Sequence, residues 1–173
     1  MIVRRAERSD APSIAEIYNA AIAERIATFE TEPRTESAMA DWIAGHDERH
    51  SILVAVAAEA PSAGPRAVAG WVSVAAYRPR SCYSGIGEFS VYVARDRRGQ
   101  GVGKDLLLAL IEDARRQGYW KLVSRVFPFN SASRRLCKSC DFREVGVYEK
   151  HGKLDGKWLD TVIVERLIPE NLV

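Results

Sequence analysis

Apolar residues recur along this chain with two distinct periods, and the alternation between them outlines the fold. Ile2 to Arg5 forms a short strand-like opening. Ser9 and Asp10 then offer N-caps, Pro12 suits a first helical turn, and Ile14, Ile17, Tyr18, Ala21 and Ile22 fall at helical spacing. A second helix is predicted from near Thr35, with Met39, Trp42, Ile43 and His46 on one side. Thr28-Phe29-Glu30-Thr31-Glu32-Pro33, between the two, has loop chemistry. Three strand-like stretches follow: Ser51 to Ala58, Ala67 to Tyr77 and Glu88 to Val93. Pro61-Ser62-Ala63-Gly64-Pro65 reads as the turn of a hairpin between the first two, because proline and glycine set dihedrals that strands reject.

In the third stretch, period-two alternation sends Phe89, Val91 and Val93 to one face and Glu88, Ser90 and Tyr92 to the other. A carboxylate therefore sits on a half-buried strand. From Lys104 to Gln117, Leu107, Leu110, Ile111 and Ala114 keep helical spacing, and Gly118 is placed to stop that helix. A strand (Lys121 to Val126), a loop (Phe127 to Asn130), a short helix (Ser131 to Ser139) and two strands (Arg143 to Tyr148, Trp158 to Leu167) complete the pattern. Strands in a run followed by strand-helix-strand predict an α+β mixed, mostly antiparallel sheet with helices on both faces.

The 173 residues, 47% apolar and 28% charged, suit one domain spanning 1–173 with a proper core. No apolar run approaches the roughly 20 residues that span a bilayer, so the expectation is a cytoplasmic protein without a membrane partner. A net charge of +2 is too small for wholesale wrapping of nucleic acid, so any anion site is local. Cys82, Cys137 and Cys140 cannot build a disulfide framework. Cys137-Lys138-Ser139-Cys140 has the spacing of a redox pair or half a zinc site, and His46 and His50 that of two ligands on a helix. Asp47 stands where a zinc protease needs glutamate, and no metal is expected.

The most informative segment is Arg95-Asp96-Arg97-Arg98-Gly99-Gln100-Gly101-Val102-Gly103-Lys104, a glycine-rich basic loop between a strand and a long helix. Missing side chains let backbone N–H groups approach a ligand, and the helix adds its positive N-terminal end, as a pyrophosphate requires. The alternative is an ordinary solvated turn. A nucleoside-triphosphate loop would need Gly where Arg98 stands and Ser or Thr where Asp105 stands. A dinucleotide loop would need Gly at Lys104 and a place near the start of a parallel sheet.

Arg98-x-x-Gly101-x-Gly103 after Val91-Tyr92-Val93 resembles the acyl-CoA signature of GNAT acetyltransferases. Thr28-Phe29-Glu30-Thr31-Glu32-Pro33, Tyr77-Arg78-Pro79-Arg80, Glu88-x-Ser90-Val91-Tyr92-Val93 and Asn130-Ser131-Ala132-Ser133 are together similar to the phosphinothricin and methionine sulfoximine N-acetyltransferase branch, which arsinothricin-acetylating enzymes also resemble. The resemblance covers nearly the whole chain. It implies transfer of acetyl from acetyl-CoA to the α-amino group of a glutamate-like amino acid, in a homodimer, with detoxification or resistance as the outcome. It further implies Glu88 as the base that frees the amine, where the residues alone also allow a strand charge paired with Arg78 or Arg80. Val91, Tyr92 and Val93 are expected along the thioester and pantetheine arm, and Arg98, Gly99, Gln100, Gly101, Val102, Gly103 and Lys104 around the diphosphate. Asn130 and Ser133 complete the cofactor set. Arg78 and Arg80, whose guanidinium forks match paired anionic oxygens, join Tyr83, Phe29 and Glu30 as the acceptor set.

Three departures from the branch stand out. Cys137 occupies the place of a tyrosine that protonates the leaving thiolate in many relatives. Ser84-Gly85-Ile86-Gly87 replaces an aromatic and a threonine, which is expected to remove bulk and a hydroxyl from the acceptor pocket. Asp141 replaces the glycine before Phe142, a position that asks for left-handed backbone. Other readings keep the donor and change the acceptor to a polyamine or protein N-terminus, or dispense with catalysis in favour of CoA or nucleic-acid binding.

Overall fold

A computed structural model describes residues 1–58 and 67–172. Seven strands form one sheet in the order β1-β2-β3-β4-β5-β7-β6. These are β1 (Ile2–Arg5), β2 (Ile52–Val56), β3 (Val68–Ala76), β4 (Ile86–Val93), β5 (Lys121–Val126), β6 (Arg143–Leu154) and β7 (Lys157–Leu167). Among the described residues, only β4 and β5 run parallel; every other neighbouring pair is antiparallel, including β2 with β3 as expected. The expected turn at Pro61 to Pro65 lies outside the described residues.

Helices cover both faces. α1 (Ala11–Glu24) and α2 (Glu36–Ala44) bury Ile14, Ile17, Met39 and Ile43 against Ile52, Val54, Val56 and Trp71. α3 (Val102–Arg116) and α4 (Ser131–Ser139) cover the other face, where Leu106, Leu107, Leu110 and Cys137 join Leu53, Ala55, Val72, Phe89 and Leu122. β2 is buried on both sides, and its near-continuous apolar sequence follows from that.

Local chemistry sets the element ends. Thr35 caps α2, its hydroxyl accepting from the Ala38 N–H at 3.1 Å. Asp10 precedes α1 without capping it; its carboxylate takes both Arg4 Nη groups, at 2.7 and 2.9 Å, and pins β1 to the helix start. Gly118 (φ 78°) turns the chain out of α3, and Asp141 (φ 61°) adopts the left-handed conformation that its position requires. The end of the chain departs from expectation: β6 runs on from Tyr148 to Leu154 and meets β7 at Asp155-Gly156, with φ of 47° and 78°. That is the mirror-image tight turn for which Asp-Gly is suited.

Candidate active site

The sheet is divided at its parallel pair. β4 and β5 are in register only at Ile86↔Lys121, Gly87↔Leu122 and Glu88↔Val123, and beyond this point the strands separate. The Ser124 hydroxyl donates to the Phe89 carbonyl at 2.8 Å in place of a ladder bond. The Val93 carbonyl, on the same edge, accepts from Arg98 Nε at 3.3 Å. Residues two apart in a strand point their main-chain groups the same way, so Val91 also presents its N–H and carbonyl to the gap. β4 thus ends in an edge with no ladder partner within a sheet, an arrangement that suits an extended amide-bearing ligand.

At the mouth of this gap lies a cavity of about 460 Å³, lined by Val91, Tyr92, Val93, Arg97, Arg98, Gly99, Gly101, Val102, Gly103, Lys104, Asn130 and Ser133. Gly99 (φ 75°) and Gly101 (φ 87°) hold left-handed backbone, and a side chain at either would meet open space, so their dihedrals and not crowding call for glycine. Gly101 is the N-cap of α3, and its carbonyl accepts from Lys104 and Asp105. The N–H groups of Val102 and Gly103 precede these first helical bonds and remain free for an anion. Gly103 serves another purpose: a Cβ there would lie 2.9 Å from Leu136 Cδ2, so its absence lets α4 close on α3.

Not every expected residue reaches the cavity in the expected way. Gln100 does not line it; its side-chain amide donates to the Asp96 carbonyl at 2.8 Å. The Tyr92 ring packs against Tyr18 and Trp71, with centroids 5.0 and 4.7 Å away, and burial pushes its phenol well above the usual range. Its ring thereby packs against the core on the α1 and α2 face. Asn130 caps α4 by accepting from the Ser133 N–H at 3.1 Å and donates to the Ile26 carbonyl at 3.0 Å, tying α4 to the loop after α1. Glu24, Ile26 and Arg135, which no sequence signal had marked, also line the cavity. Glu24 holds Arg98 at 2.9 Å and Arg95 at 3.5 Å, fixing the direction of two cradle arginines.

Outside the lining of this cavity, Glu88 is the last residue of β4 paired with β5, half-buried, on the α1 and α2 side of the sheet. Its carboxylate accepts from Arg125 of β5, not from Arg78 or Arg80. Arg125 Nη1 approaches His151 Nε2 at 3.5 Å, and the His151 ring stacks on Tyr148 at 4.8 Å. Arg78 lies over the Tyr77 ring at 5.2 Å, and the Tyr77 phenol, with smaller contributions from Tyr83 and Tyr148, raises its affinity for a proton. Glu88, Arg125, His151 and Tyr148 are thus linked side chain to side chain. Arg80 is exposed at the head of the turn Ser81–Tyr83. Phe29 packs edge-on against Phe127 at 4.8 Å and over Gly152 of β6, while Glu30 points outward to Arg34 at 2.9 Å.

The glycines ahead of Glu88 act differently from expectation. A Cβ at Gly85 would lie 1.9 Å from Trp120, and one at Gly87 would strike Val74 on the α3 side. Both make room in the core rather than in an acceptor pocket. Cys137 and Cys140 are buried free thiols; burial pushes Cys137 up to about 12 and raises Cys140 too. Among the described residues, no group of three or more potential ligands gathers for a metal, and no helix is long and apolar enough to cross a membrane.

A left-handed glycine loop, free amides at a helix start and Arg97, Arg98 and Lys104 on one cavity wall suit a diphosphate, and the open edge of β4 suits the arm attached to it. Comparison with known proteins agrees. Residues 1–143 match the acetyltransferase (GNAT) domain. An L-methionine sulfoximine/L-methionine sulfone acetyltransferase of Pseudomonas paraeruginosa is 35% identical over 164 residues, 94% of this chain and 92% of that protein. A ribosomal-protein-alanine N-acetyltransferase from Brucella melitensis superposes with a TM-score of 0.88 at 30% identity, covering 97% of this chain and all of that one. A phosphinothricin acetyltransferase from Sinorhizobium meliloti, solved with acetyl-CoA, gives 0.84 at 29% identity, covering 96% of this chain and 88% of its own. The chain belongs to the GNAT family of acetyltransferases, with acetyl-CoA as its acetyl donor.

Proposed function

We propose that the protein acetylates the α-amino group of a glutamate-like amino acid of the phosphinothricin, methionine sulfoximine or arsinothricin type, a detoxifying reaction carried out in the cytoplasm. The observation that carries this reading is Glu88, a half-buried carboxylate placed where the sheet opens and paired with Arg125 of the neighbouring strand. An α-ammonium has no lone pair, so its proton must leave before attack. Glu88, directly or through a water, takes that proton. The amine nitrogen then bonds to the acetyl carbonyl carbon as the carbon-sulfur bond breaks and the thiolate departs. Main-chain N–H groups on the open edge of β4 offset the charge that develops on the carbonyl oxygen. Cys137, a buried thiol held at about 12, is a poor proton donor to a thiolate that needs little help, and no acid is assigned.

Arg78 and Arg80 supply the positive charge for the acceptor's distal anion, with Phe29 as an apolar wall. Residues 1–173 act as one domain, and we propose a homodimer. Val145, Val147, Tyr148 and Trp158 are exposed on the β6–β7 hairpin, apolar surface that a second copy would cover.

The test is release of free thiol from acetyl-CoA with purified protein and a panel of phosphinothricin, methionine sulfoximine, arsinothricin, common amino acids, a polyamine and a peptide with N-terminal alanine. The three glutamate-like acceptors are expected to lead in kcat/KM, and better turnover of the peptide or polyamine would overturn the acceptor assignment. Glu88→Gln is expected to lower kcat about 100- to 10,000-fold. Unchanged turnover at saturating substrate would remove Glu88 from the chemistry.

A further inference from the structure

Arg125 stands apart from the arginines that the sequence marks. Alternation on β5 sends Leu122 and Val126 into the α3 and α4 core and leaves Val123 and Arg125 on the face of Glu88. Arg125 lines a small inner cavity of about 50 Å³ at the parting of the strands, together with Ser90, Val91, Ser124 and Asn130. One of its nitrogens donates to Glu88, and the other Nη lies 3.5 Å from His151. The side chains of the pair are 42% and 30% exposed, so water and ligands reach both charges. An ion pair of this kind contributes little to stability and exchanges readily. Yet as the structure stands it engages the carboxylate that must receive a proton.

An α-amino acid carries an ammonium and a carboxylate on the same carbon. That head group is the charge-reversed counterpart of the Glu88–Arg125 pair: its ammonium matches Glu88 and its carboxylate matches the planar fork of Arg125. We propose that Arg125 receives the α-carboxylate of the acceptor, releasing Glu88 to the neighbouring ammonium. One protein ion pair is exchanged for two pairs with the ligand. Arg125 is then a specificity-determining residue. An amine with no adjacent carboxylate leaves the guanidinium on Glu88 and has to compete with it, so polyamines, α-carboxamides and peptide N-termini are disfavoured. Arg78 and Arg80 remain for the distal anion, which divides the two ends of the acceptor between two sets of arginines. This inference rests on the α-amino-acid reading of the acceptor.

The experiment compares an acetylated amino acid with its own α-carboxamide, at one pH, in the unaltered protein, in Arg125→Gln and in Arg125→Lys. Because the two amines differ in basicity, the quantity read is the ratio of their kcat/KM values, and its change between proteins cancels that difference. Losing a charge-assisted contact is expected to lower the acid-to-amide ratio about 10- to 100-fold in Arg125→Gln. Arg125→Lys, which keeps the charge without the fork, is expected to fall between the two. Calorimetry with coenzyme A checks that the donor site persists in both variants. An unchanged ratio, including equal losses for acid and amide, would overturn the proposal and leave Arg125 as a support for Glu88 alone. If the unaltered protein acetylates no α-amino acid, the acceptor reading fails and takes this one with it. Acetylation with a ratio that survives Arg125→Gln sinks only this one.

Discussion

Replacing Gly101 by alanine isolates the energy stored in the cradle. A Cβ at this position meets nothing within 4 Å, so the substitution adds no clash and removes no contact. What it adds is the penalty of left-handed backbone at φ 87°, about 1–2 kcal/mol for a residue with a Cβ. The loop has two responses. If it keeps its shape, the folded state carries the whole strain, and Tm falls by roughly 2–4 °C per kcal/mol for a chain of this size. If it relaxes to negative φ, stability is retained but the amides must be forced back when coenzyme A binds, and Kd rises by roughly 5- to 30-fold. The losses in folding and in binding together should equal the strain, about 1–2 kcal/mol, however the loop divides them. Chemical denaturation and calorimetry with coenzyme A measure the two parts. Gly101→Asn is the control, since asparagine tolerates the left-handed region and caps helices well. It should recover most of the loss. Equal behaviour of the alanine and asparagine variants, or a combined loss several times larger, would refute the view that conformation alone calls for glycine here.

Three further outcomes follow from the packing. Gly85→Ala places a methyl group 1.9 Å from Trp120, and overpacking of this kind should cost about 1–3 kcal/mol, seen as a lower Tm; an unchanged Tm would mean the indole moves freely. Asn130→Ala loses both the cap on α4 and the bond to Ile26, so stability should drop by about 1 kcal/mol while KM for acetyl-CoA rises. Asn130→Asp, which keeps the capping acceptor, should lose less stability. Iodoacetamide at pH 8 should modify exposed Cys82 first, because the thiolate is the reactive form and burial raises both Cys137 and Cys140. Mass spectrometry showing early modification of Cys137 would contradict its buried state.

What could be foreseen was governed by short-range rules. The helix start near Thr35, the stop at Gly118, the two faces of β4, the bounds of β5 and α4, and the left-handed Asp141 each depend on a few consecutive residues. The extension of β6 to Leu154 was missed although Asp155-Gly156 is a strong hairpin signal, because the pairing is irregular between Tyr148 and Gly152 and breaks the alternation that would have revealed it. Gly85 and Gly87 seemed to open a pocket because their sequence position, just before Glu88, was informative. The bulk they avoid comes from Trp120, Val74 and Leu122 on other strands and loops.

The division of the sheet lies furthest from any local signal, and the site depends on it. Phe89 to Val93 alternates as a fully paired strand would, and nothing within Lys121 to Val126 requires its partner to leave. Separation is a property of the pair. It is tolerable because β4 keeps its ladder with β3 through Val93, β5 keeps its ladder with β7 through Val126, and the Ser124 hydroxyl satisfies the first carbonyl exposed. Each strand stays anchored on its far side while the near edges face a cavity. The same parting leaves room beside Glu88 for the guanidinium of Arg125, on a strand whose own sequence pattern marks it only as a solvent-facing position. An acceptor site therefore emerges from two strands that are individually ordinary, and the charged pair between them exists only because they are parallel neighbours for three residues and then are not.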